Sequence, residues 1–114
     1  MISIHKGEID MIFHVTMTHT ADNCPAYHTE KMPELIASLG NLEALGKKLN
    51  VKAHSLLWGA PDHVAFAVLE ADSLVSIGRF LNSIAIPQEF KITPVEHVSE
   101  VVEIGRAAIA RAKK

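Results

Sequence analysis

Two histidines and the only cysteine of the chain stand where a small transition-metal site could form: His19, Cys24 and His63. Imidazole nitrogen and thiolate sulfur are donors that zinc, copper and iron accept. His19 closes the alternating stretch MIFHVTMTHT, Cys24 follows in a polar loop, and His63 opens a second apolar stretch, HVAFAVLEA. If these stretches are neighbouring strands, the end of the first meets the start of the second. His19 and His63 then share one rim of a sheet, roughly 4.8 Å apart across it. The loop carrying Cys24 must rise over that rim, and Trp58 lies across the turn from His63. The plainer role for the same residues is structural: rim histidines bonded to loop backbone, and a cysteine packed as a small hydrophobe. His28, four residues after Cys24 in CPAYH, joins the group only if the turn before Pro33 is helical.

His14 and His54 form a second pair of candidates, for acid–base catalysis. With Trp58 opposite His63, His54 falls opposite Ala67, on the face of Ala65 and Leu69, about 13 Å from the rim by strand rise. His14 and His19 have opposite parity, so one strand cannot turn both to the same face. Two arrangements follow. Either His19 joins His63 and His14 points away with Thr16 and Thr18, or His14 joins His54 in a polar lining suited to proton transfer. The remaining histidines carry less: His97 reads as helix-start chemistry and His5 lies in a lead-in. Glu70 and Asp72 in LEADS read as strand exit and cap. Gly78 and Gly105, on helical stripes, suggest close packing. No phosphate loop, CxxC or Ser-His-Asp arrangement is present.

The elements that must position these side chains are legible from periodicity. Met11, Phe13, Val15 and Met17 alternate with Ile12, His14, Thr16 and Thr18, which is a strand. Beyond TADNCP, one long amphipathic helix starts near Pro33, with Met32, Leu35, Ile36, Leu39, Leu42, Leu45 and Leu49 on its stripe and Asn50 closing it. VKAHSLLW and HVAFAVLEA flank GAPD as a hairpin, and Ser73 or Asp72 caps a helix over SLVSIGRFLNSI. FKITPV is a short last strand, placed at a sheet edge or strand end by Pro94. From Val98 the apolar residues again recur at helical spacing.

The predicted fold class is α+β: a ferredoxin-like split βαβ plan, β-α-β-β-α-β, with a four-stranded antiparallel sheet and an extra C-terminal helix. Strands one and three are central, and helices cover one face. The other face keeps the apolar side chains of either the 64/66/68 or the 65/67/69 set, which implies face-to-face homodimerisation.

The bulk properties bound the function. The 114 residues make one domain, expected over 10–114 behind a lead-in at 1–9, and the charge of −2 excludes a basic nucleic-acid surface. One cysteine allows no internal disulfide, which suits a reducing compartment. MISIHKGEID lacks a signal-type apolar core and VAFAVL is too short to span a bilayer, so a cytoplasmic protein with no membrane partner is expected.

MIFHVTMTHT, HVAFAVLEADS and FKITPVEHV together resemble the dimeric α+β barrel superfamily, most closely its small single-domain members of uncharacterised function. The resemblance covers roughly residues 10 to 105 and implies a homodimer with a pocket. That superfamily spans monooxygenases, haem-degrading enzymes, isomerases and stress-response proteins, so it implies little about substrate. Three expectations follow. One is an enzyme that oxidises or isomerises a small organic molecule, with a zinc, copper or iron ion or with no cofactor. Another is a non-catalytic binder of a metal or metabolite. The third is a dimerisation module without a ligand.

Overall fold

The computed structural model describes residues 10–113. The lead-in at 1–9, with His5, lies outside the described residues. Strand β1 (Met11–Thr18) buries Phe13, Val15 and Met17 and leaves Ile12, His14 and Thr16 half-buried on its other side, as the alternation dictates. Strand β2 (Lys52–Gly59) and strand β3 (Val64–Ala71) form the hairpin, joined by a three-ten turn at Ala60–Asp62. Strand β4 is Glu89–Val95. The sheet is antiparallel throughout, in the order β2-β3-β1-β4, so β1 and β3 are central and Pro94 sits on an edge strand. The protein is thus an α+β domain built on a four-stranded antiparallel sheet.

The region after β1 winds through three short three-ten turns before helix α1 (Met32–Gly40). The single long helix expected here is two helices. Asn41, a single turn residue, interrupts the helix, and α2 (Leu42–Leu49) follows. The break rotates the stripe, so Leu35 and Leu42 are buried while Ile36 and Leu39 are exposed, Leu39 by 37%. Asn50 ends α2 in the left-handed conformation, with the Val51 amide donating to the Gly46 carbonyl. Helix α3 (Leu74–Asn82) starts on Ser73, whose hydroxyl accepts from the Ser76 amide, and buries Ile77, Phe80 and Leu81. Its helices and β1, β3 and β4 enclose one core, in which Val15, Ala67, Leu69, Ala71 and Ile77 have no exposure at all.

Of strand β3, the 65/67/69 set faces the helices; Val64, Phe66 and Val68 occupy the open face. Helix α4 (Val98–Ala112) stands apart, with every residue exposed. Among the described residues no helix is long and apolar enough to cross a membrane.

The glycine that packing requires is not one that spacing suggested. A Cβ at Gly78 or Gly105 would meet nothing within 4 Å, whereas one at Gly46 would lie 2.7 Å from the Val51 carbonyl oxygen. Gly46→Ala must therefore push the α2–β2 connection away from Phe80. Denaturant unfolding should show a loss of about 1–3 kcal/mol. Gly78→Ala, in open space on α3, should leave stability unchanged or raise it by up to about 1 kcal/mol.

Candidate metal centre

Antiparallel pairing carries Thr18 to a position opposite Val64, and the next residues on each side are His19 and His63. The His19 amide donates to the His63 carbonyl at 3.2 Å, which ties the rim shut one step beyond the strands. Both residues share the parity of the helix-facing rows, 13/15/17 on β1 and 65/67/69 on β3. Their rings therefore turn to the side over which the loop to α1 passes. His63 does so from a left-handed backbone, φ 55 and ψ 43, at the end of the Ala60–Asp62 turn. A side chain in that region is strained, and histidine tolerates it better than most residues.

The loop brings the sulfur. Cys24 is the extended residue between two three-ten turns, its amide bonded to the Ala21 carbonyl and its carbonyl accepting from the Tyr27 amide. Pro25 fixes the chain direction after it, and both Cys24 and Pro25 are buried. One donor atom from each of His19, Cys24 and His63 lies within 4.8 Å of the other two. His63 Nδ1 and His19 Nε2 are 3.4 Å apart. Two nitrogens bound tetrahedrally to zinc at about 2.05 Å stand about 3.3 Å apart, so the imidazole pair is already at coordination spacing. The group could hold a metal ion.

The surroundings favour the neutral form of His19. It is buried, and the indole of Trp58 stacks on its ring with centroids 5.5 Å apart and planes at 24°. Burial, with a smaller contribution from the neighbouring His63, holds its pKa below the ordinary histidine value. A neutral imidazole is what a metal needs. Beside the cluster opens a cavity of about 430 Å3, into which Cys24 and His63 face along with Tyr27, Met32, Leu39 and Trp58. Its wall contains no lysine, arginine or carboxylate.

The other candidates lie elsewhere. His28 turns away from Cys24, its ring bonded to the Asp22 carbonyl and 3.4 Å from Glu30. His14 points to the open face, near Phe66 with ring centroids 6.0 Å apart, beside Thr16. His54 does not lie opposite Ala67 on the helix side. Trp58 pairs with Ala65 and Leu56 with Ala67, and a bulge between Ala53 and Ser55 turns His54 to the open face. There His54 Nε2 meets Glu70 Oε1 at 2.8 Å, giving a carboxylate-oriented imidazole. His14 and His54 thus share a face but make no hydrogen bond to each other. In the sequence Glu70 reads only as a strand exit. Its parity with Val64, Phe66 and Val68 was the signal that it faces the same way as a bulged residue on β2. The cavity wall was missed too, because Leu39 was placed in the core.

Two measurements on metal-free protein test this geometry. His63→Gly relieves the left-handed strain and His63→Ala does not, so the glycine variant should be the more stable by about 1 kcal/mol in denaturant unfolding. In the unfolded chain His19 takes up a proton near its ordinary value of 6.5, which the folded protein resists. Its contribution to stability is therefore present above that pH and is lost as pH falls below it. Unfolding midpoints should drop between pH 7.5 and 5.5, and His19→Gln should flatten the drop.

Compared with protein-family models, with curated proteins and with solved structures, the chain finds no match. The chemistry of the rim rests on its own three donors and the apolar cavity beside them.

Proposed function

We propose that the protein is a small metal-dependent enzyme that isomerises or oxidises an uncharged organic molecule. His19, Cys24 and His63 would be its metal ligands. The observation that carries this reading is the meeting of three nitrogen and sulfur donors at the mouth of an apolar cavity. A structural zinc site is closed by four protein ligands, whereas a catalytic one keeps a position free. Three donors, two of which face the cavity, fit the second kind. Soft and borderline donors favour zinc, copper or iron over magnesium or calcium. The bound ion would supply Lewis acidity toward a carbonyl or hydroxyl oxygen of the substrate. Trp58 orients the His19 ring, and Tyr27, Met32 and Leu39 exclude water around the substrate's apolar part.

In this reading the domain is a ferredoxin-like split βαβ unit and pairs through its open sheet face into a dimeric α+β barrel. The strand order with β1 and β3 central supports the first point. The second is supported by the apolar side chains left on that face, among them Phe66 at 39% exposure and Leu57 at 62%. A face-to-face pair would enclose His14 and the His54–Glu70 pair between the two sheets.

Cobalt titration of protein purified without an affinity tag tests the metal site. The expected result is stoichiometric tetrahedral Co2+ with a thiolate charge-transfer band that Cys24→Ser abolishes. His19→Ala should weaken binding by more than the roughly 10- to 100-fold that loss of an outer-sphere partner costs. Binding that ignores both substitutions would leave the three residues a purely structural role.

A further inference from the structure

Among the described residues, nothing packs on the apolar stripe of the C-terminal helix. Val98, Val101, Val102, Gly105, Ala108 and Ile109 recur at three- and four-residue intervals along α4, and none is buried. An isolated helix of this length is marginal in water without a surface to pack on. The chain as a whole carries the mark of a missing contact. Its radius of gyration is 18.0 Å, against about 13 Å for a compact chain of this size. Its accessible surface is 7845 Å2, where a compact monomer of 12.5 kDa would expose about 6,200 Å2. The difference, roughly 1,600 Å2 from one chain, is about twice what one partner gives to a standard interface, as expected if each chain contributes both a helix and a groove.

A surface of matching form lies along β2. Leu56 and Trp58 are on the helix side of the sheet, yet they stay 42% and 48% exposed, in a crevice between this edge strand and α1 and α2. Three hollows follow one another there. The cavity beside the metal centre shares Leu39 and Trp58 with a second, of about 300 Å3, which shares Leu56 with a third, of about 390 Å3, reaching Leu42 and Phe80. Eight residues of strand make this groove about 26 Å long, and fifteen residues of helix make α4 about 22 Å long. The small Gly105 and Ala108 at mid-helix allow close approach. Charge favours one direction. Glu100 and Glu103 lie in the first half of α4, with Arg106 and Arg111 in the second. The Leu42 end of the groove is net basic, with Lys47 and Lys52 against Glu43. Asp62 stands beside Pro61 at the other end.

The geometry points to a second copy of this chain as the occupant: α4 of one protomer lies in the β2 groove of another, its acidic half toward Lys47 and Lys52. The exchanged helix covers Leu56 and Trp58, and its basic half closes the cavity next to the metal centre. Each site is then completed by its partner. This surface is separate from the open sheet face, and its occupation does not require a bound metal.

The only tryptophan of the chain lies in the groove and reports on it. Val101→Asp/Ile109→Asp spoils the stripe of an exposed helix and keeps Trp58, while Trp58→Phe keeps the helix and is spectroscopically silent. Circular dichroism checks that both full-length variants are folded, and Val102→Lys serves as a milder disruption. Titrating Trp58→Phe protein into the double variant should shift Trp58 emission to the blue and lower its acrylamide quenching severalfold, with saturation. Neither change should occur when the double variant is its own titrant. No protection in trans would overturn the proposal. If wild-type Trp58 is nevertheless shielded and the double variant's is not, the helix folds onto its own chain; if both are equally open, the groove takes no helix.

Discussion

The pairing of β1 with β3 is the constraint from which the rest of the structure follows. Val15 opposite Ala67, and Phe13 opposite Leu69, put the least exposed side chains of the sheet in register beneath the helices. Side chains alternate with period two, so this choice of inward row decides the orientation of everything else on the two strands. It sends His14 and Thr16 to the open face and His19 to the helix side. His63, which shares the parity of Ala65, follows it there. A slip of one residue would bury Thr16 and His14 in the core and separate the two rim histidines.

That pairing also fixes how much room the helix side has. The inward residues of β3 are Ala65, Ala67, Leu69 and Ala71, mostly small, against Phe13, Val15 and Met17 on β1. Helix α3 can settle close to the centre of the sheet, where Ile77, Phe80 and Leu81 complete the core. The helical layer is then displaced from β2, whose Leu56 and Trp58 are left as one wall of a groove. The cavity beside the rim histidines is the end of that groove, so core packing and cavity formation are two results of one distribution of side-chain sizes.

The parts of this arrangement that depend on period were legible in the sequence. Alternation gave the strands, the α+β class, the central places of β1 and β3, and the meeting of His19 with His63. The position of Cys24 followed because a loop leaving β1 for a helix must cross that end of the sheet. The parts that depend on irregularity were not legible. The bulge at His54 is one residue out of step in a stretch, KAHSLLW, that alternates poorly, and no local signal marks where the extra residue goes. The Gly40–Asn41 break lies inside an apolar stripe that reads as continuous, and it moves Leu39 from the core to the cavity wall. Gly46 looks like any helical glycine until the Val51 carbonyl is seen 2.7 Å from where its Cβ would be.

The rim also shows how a sheet can bring nitrogen and sulfur donors together without a sequence motif. Two imidazole nitrogens held 3.4 Å apart can share a single proton between them, one ring donating and the other accepting. For a metal to take both nitrogens, that proton must move to the far nitrogen of its own ring, and the Cys24 thiol must give up its own. Burial has already made a charged His19 unfavourable, so protons compete weakly there. The distance between the two rings is set by neither histidine: it comes from the Thr18–Val64 pair and the amide bond beyond it, so the register of the central strands is what spaces the donors.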